Sequence, residues 1–432
     1  MKISWTGFSK KSLQERLQIL KDYHLLNEDN QTNLEHNHML PLSTADQMSE
    51  NVLATFALPY SFVPDVVVDE QVYQVPFVTE EPSVVAAASF AAKIIKRSGG
   101  FKTTIHNRQM IGQVALYQVE NIEAAIKNIQ NHKQELLELA NQAHPSIVNR
   151  GGGARDLRVE WLNGEAEFLV VYLTVDTQEA MGANILNTML EALKTPLEEL
   201  TGGESLMAIL SNYATEALVT ATCEIDLRFL SRNKSEAIDI AKKIVLASQF
   251  AKQDPYRAST HNKGIFNGID AVVLATGNDW RAIEAGAHAY ASRNGSYQGL
   301  TTWSIKEATQ TLCGEITLPL PIATKGGSIG LNPTVEVSFD LLKQPTAKEL
   351  ASIIASIGLA QNFAALKALV STGIQHGHMK LQAKSLALLA GAKDTEIALL
   401  VSQLISEKHF SLKRAQEILE NIRQKSNKKR IR

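Results

Sequence analysis

The amino-acid sequence has little cysteine and no long apolar segment. Its two cysteines, Cys223 and Cys313, are far apart and match no Cys-x-x-Cys or Cys/His spacing, so they indicate neither a disulfide framework nor a zinc site. The apolar stretch at residues 84–92, interrupted by one serine, is far shorter than the roughly 20 residues that span a bilayer. The polar N-terminal sequence has no signal-peptide core. These absences predict a cytoplasmic protein without a bound metal.

Charge of one sign is not in excess either, since 43 lysines and arginines stand against 45 aspartates and glutamates. This balance argues against a dedicated nucleic-acid-binding protein, which usually carries a broad positive surface. A Gly-x-Gly-x-x-Gly fingerprint after a strand is missing too, because the glycines in residues 151–153 and 325–330 do not have that spacing. The sequence therefore does not favour a Rossmann fold.

The 432 residues have the composition of a globular protein, with 44% hydrophobic and 20% charged residues. The length allows about two to four domains. Predicted elements in residues 107–211 follow the order strand, helix, two strands and helix, which is typical of a ferredoxin-like domain. We interpret this stretch as a domain inserted into a larger mixed α+β domain, formed by residues 1–106 and 212–376. Beyond that only helices are predicted, so residues 377–432 are expected to form a helical cap.

Lys263 lies in the most unusual stretch of the sequence. Residues 261–268 combine histidine, asparagine and glycine just before the apolar run 269–275. We predict a glycine-rich loop followed by a buried strand here. A buried lysine beside a carboxylate would stabilise a developing alkoxide, since an ammonium acts most strongly where water is excluded. A lysine in a solvated loop is the structural alternative.

Two carboxylates are candidate partners for this lysine. Asp279 follows the apolar run where a helix is predicted to start, so N-capping alone explains it. Because Asp279 and Lys263 flank the same run, however, a loop that folds back would bring them together. Glu81 precedes Pro82 at a strand-to-helix junction, where acidic residues usually complement the helix dipole. A half-buried glutamate at such a junction is also suited to general acid catalysis.

A histidine pair and a small-residue motif complete the candidates. His376 and His378 stand at a glycine-marked junction before the helical cap, where proton donation by one histidine is a better interpretation than metal binding. Residues 177–184 follow a predicted strand and open a helix, so their backbone can approach a ligand and bind a phosphate at the helix N-terminus. Close helix packing is an equally good explanation for Gly182.

Taken together, these motifs resemble the soluble, class II branch of the 3-hydroxy-3-methylglutaryl-coenzyme A (HMG-CoA) reductase family. The resemblance extends over nearly the whole chain, and the motifs occur in the order of the family. They are residues 50–52 with 58–59, 81–89, 180–184, 261–264, 275–279, 358–362 and 377–379. One departure is Glu179, since the family usually has aspartate before Ala-Met-Gly.

The resemblance implies an NAD(P)-dependent oxidoreductase of the mevalonate pathway. Such an enzyme interconverts HMG-CoA and mevalonate plus CoA by two successive hydride transfers, through mevaldyl-CoA and mevaldehyde. Lys263 is implied to hold the substrate oxygen as it becomes an alkoxide, and Asp279 to tune Lys263 and Glu81. Glu81 is the implied proton donor of the aldehyde step, and His378 is implied to protonate the CoA thiolate.

The same resemblance implies the ligand contacts and the assembly. Substrate contacts are implied for Ser83, Arg257, Asn267 and Gln361. Contacts of the inserted domain with the dinucleotide are implied for Glu179, Met181, Gly182, Ala183 and Asn184, with Asn212 nearby. Arg150, just before the triple glycine, is suited to a 2′-phosphate, so NADPH is favoured over NADH. The family forms homodimers with active sites at the subunit interface, and the helical cap closes as a flap that delivers the histidine.

Two other classes of function are compatible with the sequence. A thiolase-like condensing enzyme needs an acylated cysteine, but neither Cys223 nor Cys313 has an evident base. A binding or scaffold protein would use the basic tail at residues 423–432, which contains six lysines and arginines, on RNA or a membrane. The ordered set of motifs favours the reductase over both, and no nucleic-acid or membrane partner is expected.

Overall fold

The computed structural model describes residues 3–371, 375–407 and 409–430, with side chains for all of these except 375–381 and 425–430. The first segment contains helices α1 Leu13–Asp22, α2 Glu28–Glu35, α3 Leu42–Met48, strands β1 Tyr60–Val68 and β2 Gln71–Val78, helix α4 Val84–Lys96 and strand β3 Phe101–Ile105. The next contains β4 Met110–Tyr117, α5 Ile122–Asn131, α6 Lys133–Ala143, α7 Pro145–Val148, β5 Gly153–Asn163, β6 Glu167–Asp176, α8 Ala183–Thr201 and β7 Glu204–Ser211.

The remaining elements complete the large domain and the cap. The large domain continues with β8 Leu218–Asp226, α9 Lys234–Gln253, α10 Pro255–Ala275, α11 Trp280–Ala291, β9 Thr301–Lys306, β10 Thr311–Pro319, α12 Pro333–Leu341 and α13 Ala347–Val370. The C-terminal helices are α14 Gln375–Leu389, α15 Asp394–Glu407 and α16 Leu412–Arg430.

Two sheets organise these elements. The larger has the strand order β2-β1-β3-β8-β10-β9, and its neighbouring strands are antiparallel except for β1 and β3. The smaller has the order β5-β6-β4-β7 and is antiparallel throughout. Its elements follow one another as βαββαβ, the ferredoxin-like arrangement. The predicted α+β class is therefore confirmed.

The strand β7 is missing from the prediction, which ends the ferredoxin-like order at its second helix. β7 lies at one edge of the smaller sheet. Its side chains Leu206, Met207 and Ile209 are all exposed although they are apolar. A strand with exposed apolar residues at consecutive positions lacks the alternation by which a half-buried strand is recognised.

Residues 261–276 are helical up to Ala275 and do not form a loop followed by a strand, so that prediction is wrong. The helix, α10, begins earlier, where the Asp254 side chain accepts a hydrogen bond from the Arg257 N–H at 2.9 Å and Pro255 occupies the first position. Most of the apolar run is fully buried. Periodicity alone cannot assign a short buried run to a helix or a strand, and the glycines suggested a loop.

Helices α10 and α13 cross closely at two glycines. A Cβ atom on Gly268 would lie 2.9 Å from Ile357, and one on Gly358 would lie 2.9 Å from Ile269, closer than side chains normally approach. Helix α13 is long and apolar enough to cross a membrane by length and composition, but 72% of its most apolar window is buried within the protein. Such burial is that of a core helix, and the crossing fixes the two helices that reach the cavity described below.

His261 belongs to a buried polar network behind this crossing. Its Nε2 lies 2.6 Å from Thr301 Oγ1 and 3.1 Å from Asn362 Nδ2, and Trp303 Nε1 donates to Asn362 Oδ1 at 2.8 Å. Burial, assisted by nearby positive charges, lowers the pKa of His261 to about 3, so the imidazole is neutral. The role of His261 is therefore structural, since it ties α10 to β9 and α13.

Separate hydrophobic cores lie beneath the two sheets and within the cap. The smaller sheet and its helices enclose one cluster of buried residues, and the larger sheet packs against another. A third cluster within residues 383–422 is formed by α14, α15 and α16. The predicted limits of the domains at residues 106, 211 and 376 stay predictions.

Candidate active site

A cavity of about 730 Å³ opens between the start of α4, the middle of α10 and the end of α13. Six residues implied as catalytic or substrate-binding line it together: Glu81, Ser83, Arg257, Lys263, Asn267 and Gln361. Much of the remaining lining is apolar, with Phe90, Leu369 and alanines of α4 and α13 beside Lys367. The volume is typical of a small-molecule site, and the two kinds of lining suit a ligand with a polar head and a long uncharged arm.

Glu81, Lys263 and Asn267 form the polar cluster of this cavity. Lys263 Nζ donates to Glu81 Oε2, and Asn267 Nδ2 donates to Glu81 Oε1 at 3.3 Å. Lys263 and Asn267 meet the same carboxylate because residues four apart lie on one face of a helix. The predicted carboxylate beside Lys263 is therefore present. The Lys263 side chain is 60% exposed, so this chain alone does not exclude water from the ammonium.

The junction between Glu81 and α4 is strained. Ser83 is the N-cap residue of α4 and has φ 76°, in the left-handed region, and no side-chain hydrogen bond caps the helix within the described residues. A non-glycine residue in this conformation costs on the order of 1–3 kcal/mol, and such strain is concentrated at functional sites. The Ser83 hydroxyl and the first N–H groups of α4 thus border the cavity without a capping partner.

Arg257 and Gln361 contribute a cation and an acceptor to the wall. Arg257 lies in the first turn of α10, and burial lowers its pKa without a contribution from any carboxylate among the described residues. Gln361 is 5% exposed, and its Oε1 has no hydrogen-bond partner in the described part of the chain. An unpaired buried acceptor costs about 1–3 kcal/mol, so this oxygen is suited to a ligand hydroxyl.

Asp279 does not join this cluster within one chain. Its Oδ1 caps α11 by accepting from the N–H groups of Arg281 and Ala282, each at 3.1 Å. Lys263 precedes Ala275, the last residue of α10, by about 18 Å of helix at 1.5 Å per residue. The prediction of a loop that folds back and brings Lys263 to Asp279 is therefore wrong, because a rigid helix separates the two residues. The N-cap interpretation of Asp279 is confirmed.

His376 and His378 lie in α14, whose backbone the structure describes in this part. Their side chains lie outside the described residues. The role implied for His378 stays a prediction.

The predicted dinucleotide motif forms a turn between β6 and α8, residues 177–182, called here the cofactor turn. Gly182 is the N-cap residue of α8, with φ 97°, and stands before the helix instead of inside it. A Cβ atom on Gly182 would overlap the Thr177 side chain, so the turn requires glycine. Since no side chain caps α8 among the described residues, its first N–H groups fit the pyrophosphate of a dinucleotide.

Other implied cofactor residues lie around this turn. Met181, Ala183 and Asn184 flank Gly182, and Asn184 is exposed. Arg150 is exposed and precedes a glycine loop packed against the cofactor turn, since a Cβ atom on Gly152 would meet the Asp176 carbonyl oxygen and the Gln178 side chain. Asn212 follows β7, and its carbonyl lies against Gly286 of α11.

Glu179 faces the large domain. Its Oε2 accepts hydrogen bonds from Thr324 Oγ1 at 2.6 Å and from the Ala347 N–H, at the start of α13, at 2.7 Å. Oε2 of Glu179 therefore already has two protein donors. The implied contact of Glu179 with the dinucleotide stays a prediction.

Comparison with known proteins agrees with this geometry. The family model of hydroxymethylglutaryl-coenzyme A reductase matches residues 12–383. The chain belongs to this family. The HMG-CoA reductase of Archaeoglobus fulgidus is 41% identical over 418 residues, which cover 96% of this chain and 94% of the relative. A probable HMG-CoA reductase of Borreliella burgdorferi is 33% identical, with 88% of each chain covered.

Solved structures of the Streptococcus pneumoniae enzyme are also similar. One HMG-CoA reductase structure has a TM-score of 0.86 and 68% identity, covering 97% of this chain and 100% of the other. A second, described as a class II reductase bound to NADPH in open conformations, has a TM-score of 0.85 and 68% identity, covering 85% of this chain and 100% of the other. The class II assignment is confirmed, and the chain is an NAD(P)-dependent oxidoreductase of the type that reduces HMG-CoA to mevalonate.

Several residues lining the reductase cavity are missing from the predicted site. Ala364, Ala365 and Ala368 follow Gln361 at intervals of three, four and seven residues, so helix periodicity from Gln361 would have found them. Lys367 also lines the cavity, with its Nζ 5.4 Å from the centre of the Phe90 ring. No motif contained these residues, which is why the apolar arm of the cavity was not predicted.

Proposed function

We propose that the cavity between α4, α10 and α13 is where this chain reduces HMG-CoA. The observation that carries the proposal is the cluster in which Lys263 and Asn267 both donate to the Glu81 carboxylate. Arg257 binds the free carboxylate of the substrate, and the unpaired Oε1 of Gln361 accepts from its hydroxyl. Ser83 and Asn267 complete the polar contacts, while the apolar arm of the cavity takes the pantetheine chain of CoA.

The roles of the catalytic residues follow from the charge that each step develops. NADPH would supply the hydrides, with a second molecule replacing the oxidised first between the two reductions. Lys263 donates to the carbonyl oxygen in both steps and stabilises its growing negative charge. Glu81, when protonated, gives its proton to the alkoxide of the aldehyde step, and Asn267 orients its carboxyl group. His378 gives a proton to the CoA sulfur as the carbon–sulfur bond breaks, which keeps the thiol from adding back to the aldehyde.

The cofactor site is proposed at the N-terminus of α8. The first N–H groups of α8 hold the pyrophosphate, and Met181 to Asn184, with Asn212, form its surroundings. Arg150 meets the 2′-phosphate, so NADPH is preferred over NADH. The NADPH-bound structure of the Streptococcus pneumoniae reductase supports NADPH as the cofactor. Equal values of kcat/KM for NADPH and NADH would contradict the preference.

A homodimer with interfacial active sites is proposed to bring Asp279 to Lys263. In one chain, Lys263 is 60% exposed and Asp279 lies beyond the far end of α10. The segment between α3 and β1 carries Leu53 and Phe56, which are 93% and 91% exposed, as expected of a surface that a second copy covers. In the dimer, Asp279 of one copy tunes Lys263 and Glu81 of the other.

Mixing two inactive variants tests this arrangement. When Lys263→Ala and Asp279→Ala chains are coexpressed, a heterodimer has one site with both residues intact if the two come from different chains. With random pairing about half the dimers are mixed and each has one working site, so about a quarter of the wild-type activity should return. No recovery in isolated heterodimers would mean that one chain supplies both residues.

The domain limits and the location complete the proposal. Residues 107–211 form the dinucleotide domain, residues 1–106 and 212–376 form the substrate domain, and residues 377–432 form the flap that brings His378 to the cavity. The separate core within residues 383–422 supports motion of the flap relative to the rest of the chain. The enzyme is proposed to be soluble and cytoplasmic.

The decisive experiment is a spectrophotometric assay of NADPH and NADH oxidation with HMG-CoA. We expect oxidation that depends on HMG-CoA and releases free CoA thiol, with two reduced nucleotides consumed per thiol. No oxidation of either nucleotide by folded protein would contradict the proposed function.

A further inference from the structure

A short strap of the large domain joins the cofactor turn to the loop that carries Asp279. The strap is residues 320–325, between β10 and α12, and the capping loop is residues 276–279, between α10 and α11. The strap itself lies outside the motifs of the proposed reaction, although its contacts reach residues of two of them, at 180–184 and 275–279. Side-chain hydrogen bonds made at residues 322–324 hold the strap to both the cofactor turn and the capping loop.

The first end of the connection lies on the cofactor turn. The Glu179 carbonyl accepts from the Thr324 N–H at 2.9 Å and the Lys325 N–H at 3.3 Å, and its carboxylate accepts from the Thr324 hydroxyl at 2.6 Å. Arg108 adds a second link, since its guanidinium donates to the Ala180 carbonyl at 3.2 Å and also to the Ile322 carbonyl. The cofactor turn therefore cannot shift without breaking bonds to the strap.

The second end lies on the capping loop. Asn278 Nδ2 donates to the Ala323 carbonyl at 3.0 Å, and Asn278 Oδ1 accepts from the Ala323 N–H at 2.8 Å. This two-way pairing uses both polar groups of the amide, so an alanine cannot replace it. Asn278 immediately precedes Asp279, and the pairing therefore fixes the backbone from which Asp279 projects.

A third contact extends the frame to the substrate cavity. The same Glu179 oxygen that binds Thr324 also accepts from the Ala347 N–H, at the first residue of α13. Helix α13 carries Gln361 into the cavity and is locked to α10 by the crossing at Gly268 and Gly358. The cofactor turn, the capping loop and the substrate helix are thus connected through one set of hydrogen bonds.

We propose that Asn278, Thr324 and Glu179 are positioning residues that set the cofactor turn relative to Asp279 and helix α13, and so the bound cofactor relative to the substrate. The proposal rests on the proposed function, because it concerns the geometry of hydride transfer. Reacting atoms must lie about 3–3.5 Å apart, and a misplacement of about 1 Å can cost about 10²-fold in rate. A strap that touches the cofactor turn and the capping loop is placed to control that distance without touching substrate.

The matched variants Thr324→Val and Thr324→Ser test the proposal. Valine has nearly the shape of threonine but lacks the hydroxyl that binds Glu179, whereas serine keeps it. The measurement is the rate of hydride transfer in a single turnover, with enzyme in excess over HMG-CoA and saturating NADPH. We expect a fall of about 10-fold in Thr324→Val and a rate within about twofold of wild type in Thr324→Ser. NADPH affinity, measured by fluorescence titration, should change less than the rate.

Asn278→Ala provides an independent variant should Thr324→Val fail to fold. It removes the pairing of the strap with the capping loop and is expected to slow the same step by about 10-fold, with NADPH affinity nearly unchanged. Unchanged single-turnover rates in folded Asn278→Ala or Thr324→Val would overturn the proposal, and so would an equal loss in Thr324→Ser. Failure of the wild type to oxidise NADPH with HMG-CoA would instead contradict the proposed function itself.

Discussion

The helices that begin at or carry candidate site residues begin in two different ways. Helices α10 and α11 are capped by the side chains of Asp254 and Asp279, which accept hydrogen bonds from backbone N–H groups of the first turn. Helices α4 and α8 begin at Ser83 and Gly182, which both have positive φ and, within the described residues, no capping side chain. The open starts are those at the proposed substrate and cofactor sites.

The difference separates two ways in which a helix serves a site. A capped helix has its first N–H groups satisfied by the protein, so it acts through side chains farther along, as α10 does with Lys263. An open start keeps those N–H groups and the positive end of the dipole for a ligand. Asp279 can be both a capping residue and a contact for a second chain, because its two capping bonds go to Oδ1 and leave Oδ2 available.

The largest effect is expected where a capped helix acts through its side chain. Lys263→Ala removes the ammonium beside Glu81, so both reductions should slow by at least about 10²–10³-fold, the usual cost of one oxyanion donor. Assays with HMG-CoA and with added mevaldehyde measure the two steps. Lys243→Ala, on the exposed face of α9, is the control and should keep full activity. Normal mevaldehyde reduction by Lys263→Ala would show that this lysine does not serve both steps.

A smaller effect, on the free energy of unfolding, is expected from His261 on the buried face of α10. The pKa of His261 is lowered from 6.5 to about 3 in the folded protein, so the unfolded chain binds the proton more readily. The stability present above pH 6.5 is therefore lost as the pH falls from 6.5 towards 3, by about 2 kcal/mol at pH 5. Chemical denaturation at a series of pH values measures it. In His261→Gln this part of the acid sensitivity should disappear, and an unchanged pH dependence would speak against it.

The open start of α8 predicts that a substitution there changes the KM for NADPH but not the KM for HMG-CoA. Gly182→Ala places a Cβ atom against Thr177 at positive φ, which costs on the order of 1–2 kcal/mol and should raise the KM for NADPH about 10-fold. The KM for HMG-CoA should stay near that of the wild type. Gly164→Ala, in the β5–β6 hairpin, where an added Cβ meets nothing within 4 Å, is the control. Equal changes in both KM values would argue for general misfolding.

The smallest expected effect is on the free energy of unfolding, and it can be compared between two helix caps. Asn233 caps α9 far from the proposed chemistry, and Asp279 caps α11. Replacing either by alanine should lower the free energy of unfolding by about 1 kcal/mol. Activity should survive in Asn233→Ala and be lost in Asp279→Ala. If Asp279→Ala lost stability but kept its kcat, capping would be the whole role of this residue.

The composition of the cavity was largely predictable because motifs identify residues, whereas its geometry was not. Glu81, Lys263 and Asn267 come together as the resemblance implied. The element that carries two of them was predicted wrongly, since the buried run after Lys263 shows no period and Gly268 allows close packing instead of a turn. The separation of Lys263 from Asp279 follows from that helix.

Contacts that depend on distant parts of the chain were also beyond prediction. The side chain of Glu179 faces Thr324 and Ala347, which lie more than a hundred residues away in the sequence. Asn278 likewise pairs with Ala323 across a gap that no local pattern marks. Propensity and periodicity describe neighbours along the chain, so tertiary hydrogen bonds of this kind become visible only in the folded structure.

Helix α13 has a consequence for how the chain is made. A segment of 24 residues this apolar would be a target for chaperones or membranes if it emerged from the ribosome before its neighbours. Its packing partners are α4, α9 and α10 together with β1, β3, β8 and β10, and every one of them precedes it in the sequence. All of these partners have therefore been synthesised when α13 appears, and this helix can be buried against them while the cap is still being translated.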